Sequence, residues 1–367
     1  MRVPKFKIGQ FVFERPIWQG AMGVRVSAHP LPAAVAEEGC VGTITSMGLG
    51  SIDADQKTFI RVSREALVEE IAKSRDQNNG GTDKTLALNV MGALINVNDL
   101  VTTAVDKGIK MIVWGAGIPK DLPQVVPDPS VCLVPIISSA KLAGIILKWW
   151  QNHYGRAPDA FIIEGMKAGG HLGFKQEQLD QPEIYSLENI LQEVLAVVRP
   201  YEQQLGRKIP VIVAGGIYTG ADIAYMLSLG AAGAQLGTRF VATDECPAAP
   251  EFKQAYLDAR EEDIEIIHSP VGMLGRVIKN RFLEKVAAKQ VKMNCPYHCI
   301  KSCDIKTAGF CIARALFNAK KGDLENGLIF AGANVWRVNR IMPVRELIAE
   351  LVAGIEASPL ELPSTSA

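Results

Sequence analysis

One histidine stands in a setting suited to proton chemistry. The segment Glu164–Gly173 reads EGMKAGGHLG, with Gly169 and Gly170 directly before His171. Adjacent glycines let backbone approach a ligand closely, and an imidazole titrates near neutrality, as proton abstraction from carbon requires. An isolated loop histidine would be read as a solvated surface residue. The glycine-rich turn favours the functional reading, a general base at His171.

A second group of residues suits anion binding. Gly215 and Gly216 in VIVAGGIYTGADI open a turn whose amides can point at phosphate oxygens, and Thr219 can cap the helix that follows. In GAQLGTRF, Gly237 and Thr238 add further amides and a hydroxyl, and Gln235 lies just before them. The chain has no G-x-G-x-x-G after its first strand and no G-x-x-x-x-G-K-[ST], which argues against a dinucleotide fold or a nucleotide hydrolase. Three smaller signals complete the set. QGAMG (Gln19–Gly23) is slim enough for backbone to lie along a flat ring, Asn89 in LALNVMG offers an amide that both donates and accepts, and Ser138-Ser139 ends an apolar run.

Four thiols, Cys295, Cys299, Cys303 and Cys311, crowd into NCPYHCIKSCDIKTAGFC with His298 among them. They could ligate an iron–sulfur cluster or zinc. If the first three share a helix, however, Cys295 and Cys303 stand ~12 Å apart along its axis, too far for one centre. No C-x-x-C pair is present either. The expectation is buried thiols, with no metal ligand assigned.

These residues need elements that bring them together, and the chain supplies a repeating one. Short apolar runs recur at Pro16–Met22, Gly42–Gly48, Leu86–Gly92, Met111–Gly117, Cys132–Ser138, Ala160–Gly165, Val211–Ile217 and Gly233–Phe240. Helix-period segments at Pro32–Glu38, Arg64–Arg75, Asn98–Asp106, Ala140–Tyr154, Leu187–Leu205 and Ala221–Leu229 separate most of them. The crossover PKDLPQVVPDPS is too rich in proline for a good helix. Eight strands in this order predict an α/β fold, a TIM (β/α)8 barrel over residues 1–240, with a doubly wound open sheet as the alternative. Residues 241–367 are expected to form a mainly helical C-terminal extension packed on the barrel, including helices at Cys311–Lys320 and Val344–Ala357. In such a barrel the reactive groups sit at the C-terminal ends of the strands, where every candidate above except the thiol cluster falls.

Composition narrows the partners. Lys+Arg and Asp+Glu both total 39, so no net field draws in nucleic acid or an anionic membrane, and a small-molecule partner is expected. The opening MRVPKFKIGQFVFERP lacks a continuous apolar run, and no stretch approaches the ~20 residues of a spanning helix. A soluble, cytoplasmic protein is expected, with a homo-oligomer left open. Seven cysteines, an odd number, do not suggest a disulfide framework.

The ordered set PIWQGAMG, LALNVMG, EGMKAGGHLG, VIVAGGI and GAQLGTRF resembles the nitronate monooxygenase family, and is similar to the FMN-dependent enoyl-acyl-carrier-protein reductases. The resemblance implies a barrel holding non-covalent FMN. Met22 and Gly23 would meet the isoalloxazine through backbone, Asn89 and Gln235 would lie close to the flavin, and Glu164 would be near its ribityl chain. Gly216, Gly237 and Thr238 would hold the phosphate, and His171 would be the catalytic base. The implied reaction is oxidation of nitroalkanes or nitronates with dioxygen. The alternative is an enoyl-thioester reductase fed by NAD(P)H. Lys167 stands where many nitronate monooxygenases carry an acidic residue, and Ala331–Ile341 (AGANVWRVNRI) replaces a glycine–glutamine turn, with Asn334 the nearest equivalent. Because the phosphate cradle carries no dinucleotide fingerprint, denaturing the purified protein should release FMN. Release of FAD, or failure to take up any flavin on reconstitution, would refute the assignment.

Overall fold

The computed structural model describes residues 3–50, 55, 57–77, 86–295 and 297–360. The chain begins with an antiparallel hairpin, β1 (Phe6–Ile8) against β2 (Phe11–Phe13). Six short strands follow: β3 (Ile17–Gln19), β4 (Gly42–Thr45), β5 (Leu86–Met91), β6 (Met111–Gly115), β7 (Cys132–Ile137) and β8 (Phe161–Glu164). After a detour through β9 (Gly170–Leu172) come β10 (Val211–Ala214) and β11 (Gly233–Leu236). Eight of these strands form one sheet in the order β3-β11-β10-β8-β7-β6-β5-β4, with parallel pairing throughout. The two edges meet beside β4, where Gln19 N donates to Val41 O at 2.9 Å and Val41 N donates to Ile17 O at 3.2 Å. The sheet is therefore a barrel, and the open-sheet alternative is set aside.

Closure forces each strand residue to point either inward or toward the surrounding helices. Met111 and Val113, Cys132 and Val134, and Ile162 and Ile212 belong to the inner cluster, whereas Ile112, Leu133, Ile163 and Val213 pack outward. Trp18 and Thr43 also face in, and the indole Nε1 donates to Thr43 Oγ1 at 2.7 Å, so the largest inner side chain leaves no polar atom unpaired. The hairpin was not anticipated from the sequence. Its alternating Phe6, Ile8, Phe11 and Phe13 join the inner cluster, with Phe6 and Phe13 stacked at 4.8 Å between centroids. The alternation of apolar and polar residues at the start of the chain is thus a strand pattern that fills the N-terminal end of the barrel.

The helices follow the expected pattern, with boundaries shifted by a few residues. Ala140–Tyr154 and Leu187–Leu205 keep their expected limits, and both open on a serine N-cap, Ser139 and Ser186. The proline-rich crossover contains only a four-residue turn, Leu122–Val125. Several strands stop two to four residues before their expected ends, and the chain beyond them forms loops. Gly233–Phe240 is the largest departure: its last residues are a helical turn, Thr238–Val241, because the ladder with β3 ends at Leu236.

Beyond residue 240 the regular structure is mainly helical and also includes β12 (Ile264–His268), β13 (Leu274–Ile278) and β14 (Ile329–Phe330). Together with β9 they make an antiparallel sheet. The last helix, Val344–Glu356, packs in the outer layer against Gly220–Ser228 and Leu31–Glu37, so the chain returns to the barrel after crossing the cap. No helix among the described residues is long and apolar enough to cross a membrane.

Truncating a plug residue should show how far the hairpin belongs to the core. Phe13 is fully buried, and Phe13→Ala should cost about 3–5 kcal/mol. Urea unfolding would register this as a lower midpoint at unchanged slope. An unmoved midpoint would mean that the hairpin frays independently of the barrel.

Candidate active site

The alternation that fills the barrel also decides what stands at its C-terminal end. Two residues beyond Ala87 in β5 comes Asn89; beyond Ile162 in β8 comes Glu164; beyond Gly233 in β11 comes Gln235. Glu164, Ala214 and Gln235 are in register across β8, β10 and β11. Together with the loops above, these ends line a cavity of about 390 Å³. Every residue singled out as catalytic or cofactor-binding reaches it: Met22, Gly23, Asn89, Glu164, Gly170, His171, Gly215, Gly216, Gln235, Gly237 and Thr238. Ser138 lines it too, whereas Ser139 is engaged as the N-cap of Ala140–Tyr154.

His171 lies on β9, opposite Gly275 of β13. Its Nε2 is 2.7 Å from Ser269 Oγ, and its ring meets Phe330 edge-on at 4.9 Å. These contacts fix the imidazole plane. Burial pushes the ring down to about 4, so it is neutral at physiological pH and presents an acceptor nitrogen. The turn that carries it is braced from outside the barrel. Arg276 of β13 donates to the carbonyls of Met166 and Ala168, at 2.5 and 2.7 Å. At Gly169 a Cβ would sit 2.5 Å from the Ala331 carbonyl carbon, so only glycine admits this crossing of two backbones.

Glu164 responds to the same surroundings in the opposite sense. No hydrogen bond or ion pair engages its carboxyl among the described residues, and burial pushes it up to about 7. A carboxyl aimed into the cavity without a protein partner is suited to a hydroxyl-bearing ligand.

The far end of the cavity is built from backbone. Gly215 and Gly216 adopt φ of 93° and 94°, a region other residues avoid, and Gly237 opens the turn Thr238–Val241. The first amides of that turn have no carbonyl four residues earlier to accept from them. Asn334 Nδ2 donates to Gly216 O at 2.6 Å, and Gly332 N donates to Thr238 Oγ1 at 3.2 Å, so the segment after β14 secures this end. Lys167 packs along Gly216 and pairs with no carboxylate among the described residues. Amides and an unpaired ammonium are groups that could hold an anion. Thr219 caps Gly220–Ser228 through a reciprocal pair with Asp222, as its position before the helix predicted.

Sequence reading missed the residues contributed by the cap. Ser269 and Arg276 fix the turn that carries His171, and Met273, Ile300, Ile312, Leu316 and Phe330 wall the remaining side of the cavity. The S-P-V-G turn at Ser269–Gly272 was the one local signal available, and nothing local linked it to His171 some hundred residues earlier.

Comparison with known proteins agrees with this fold. The family model described as nitronate monooxygenase matches residues 5–354. A (3aS,4S,5R,7aS)-5-hydroxy-7a-methyl-1-oxo-octahydro-1H-indene-4-carboxyl-CoA dehydrogenase of Mycobacterium tuberculosis is 26% identical over 74% of this chain and 65% of its own length. A probable nitronate monooxygenase of Staphylococcus aureus is 27% identical over 51% of this chain and 48% of its own. The chain thus spans less than two thirds of either curated relative. Among solved structures, FabK from Thermotoga maritima superposes with a TM-score of 0.71 at 26% identity, covering 94% of this chain and 93% of that one.

The raised Glu164 carboxyl makes a prediction about stability. It holds its proton up to about 7 when folded against about 4.5 in a free chain. Its contribution is therefore complete below pH 4.5 and is lost as pH rises through 7. In flavin-free protein, Glu164→Gln should raise Tm by a few degrees at pH 8 and much less at pH 5. An equal change at both pH values would show that the carboxyl is solvated.

Proposed function

The chain belongs to the nitronate monooxygenase family of FMN-dependent oxidoreductases, and from that premise we propose that it oxidises small nitroalkanes and their nitronates with dioxygen. The observation that carries this reading is the neutral, oriented imidazole of His171 on the cavity wall. With Nε2 held by Ser269, Nδ1 is the nitrogen left to accept a proton from the substrate carbon. In this setting the base is weak toward water and stronger toward a carbon acid. The negative charge left on the substrate stabilises the new imidazolium across a low-dielectric gap.

The residues present fit FMN. Gly215, Gly216, Gly237 and Thr238 would hold its phosphate, with the unpaired Lys167 supplying the countercharge. Glu164 would accept from ribityl hydroxyls, which answers its lack of a protein partner. Met22 and Gly23 would meet the ring through backbone, Gly170 would leave room for it, and Asn89 and Gln235 would offer amide groups to its polar edge. Bound FMN supplies the two-electron redox chemistry that no side chain of the cavity can perform.

One observation favours a second reading, an NAD(P)H-dependent enoyl-thioester reductase. The cap wall of Met273, Ile300, Ile312, Leu316 and Phe330 is more extensively apolar than a small nitroalkane requires. Such a wall suits an acyl chain, and His171 would then position the thioester or take part in proton transfer.

Substitution of His171 separates role from importance. His171→Ala and His171→Asn should retain FMN, since the proposed flavin contacts lie mainly on other strand ends. Turnover of a neutral nitroalkane should fall by roughly 10²–10⁴-fold. A preformed nitronate has already lost its proton, so its oxidation should fall much less. Equal losses on the two substrates would show that the ring orients substrate and does not accept the proton. Absence of both activities in the wild type, with rapid flavin bleaching by NAD(P)H under anaerobic conditions, would select the reductase.

A further inference from the structure

The objection to a metal centre at the four clustered cysteines was the ~12 Å that a helix would put between Cys295 and Cys303. The structure removes that objection. Among the described residues between Ala287 and Ile312 there is no helix, and the segment folds back on itself. It is clipped to the loop after β5, where Ile95 N donates to Cys299 O at 3.0 Å and Lys301 N donates to Ala93 O at 2.8 Å. As a result Cys295, Cys299, Cys303 and Cys311 all line one small cavity of about 50 Å³, with His298 beside them.

Packing alone does not account for this arrangement. The other walls are apolar, and a void among apolar side chains forfeits dispersion contacts. A donor is also aimed at one of the sulfurs. His298, with φ of 49°, donates its amide to Cys295 Sγ at 3.4 Å. An amide donor on a thiol sulfur suits a centre that carries net negative charge.

We propose that Cys295, Cys299, Cys303 and Cys311 are the ligands of an iron–sulfur cluster set into the wall of the main cavity. No three His, Cys, Asp or Glu side chains among the described residues stand close enough to hold a single ion. A polynuclear core, with its own sulfides, takes a wider ring of thiols than a single ion does. Ile300, Ile312 and Ala313 line both cavities, so a single layer of side chains separates the cluster from the flavin site proposed above.

The test is made on the full chain purified anaerobically and reconstituted with ferrous iron and sulfide. Iron and acid-labile sulfide should appear in equal amounts, about two to four of each per chain. Broad visible absorption should bleach with dithionite and give a paramagnetic signal. Cys299→Ser and Cys303→Ser should each lose most of the iron while keeping FMN, and Cys246→Ala, outside the small cavity, should keep both. Cys303 is only partly buried, so its variant carries the test if Cys299→Ser does not fold. Protein without iron after reconstitution, one zinc per chain without sulfide, or iron unaffected by both substitutions would overturn the proposal.

Discussion

Closure of eight short parallel strands into a ring is the constraint on which the rest of the structure depends. Once the ladder runs from β4 round to β3 and is joined through Val41, the side-chain period of two leaves each residue one direction only. The same parity that packs Val113, Val134 and Ile162 inside carries Asn89, Glu164 and Gln235 to the open end. The lower end is filled by hairpin aromatics and Trp18. Polar function is thereby confined to the C-terminal end, where loops can surround it.

The second organising feature is the short pairing of β9 with β13. It takes the glycine-rich turn after β8 out of the barrel and fixes it to a sheet made largely of residues 264–330. That sheet supplies Ser269 to orient His171, Phe330 to wall it in and Arg276 to hold the turn beneath it. The cost is desolvation, which pushes both titratable groups toward neutrality: His171 holds its proton less tightly and Glu164 holds it more tightly. A dry site whose groups are neutral before a ligand arrives is one in which a new charge is felt strongly.

The cap is therefore part of the site. Its helix Ile312–Lys320 begins at Cys311, and the first residues, Ile312 and Ala313, separate the thiol-lined hollow from the main cavity. The final helix, Val344–Glu356, returns to the barrel's outer layer. The long excursion between β11 and this helix is held at both ends by the barrel, which limits how far the cap can move from the ring.

By itself the sequence determined the eight barrel strands, their order and the residues near their ends. Those properties are local: an apolar run followed by glycine, asparagine or histidine states where a strand stops and what stands there. His171, Glu164, Gly215, Gly216 and Thr238 were legible for that reason, and they converge because the ring brings all strand ends to one rim. The tertiary structure alone decided what lies opposite them. Ser269 and Arg276 owe their roles to pairing across about a hundred residues, and the helix assumed for the thiol segment is absent from its described residues. Hairpin parity at Phe6–Phe13 was visible as alternation, but its destination inside the barrel was not. Local periodicity records which face of an element avoids water. Which distant surface covers that face depends on long-range packing, and no short window of sequence contains it.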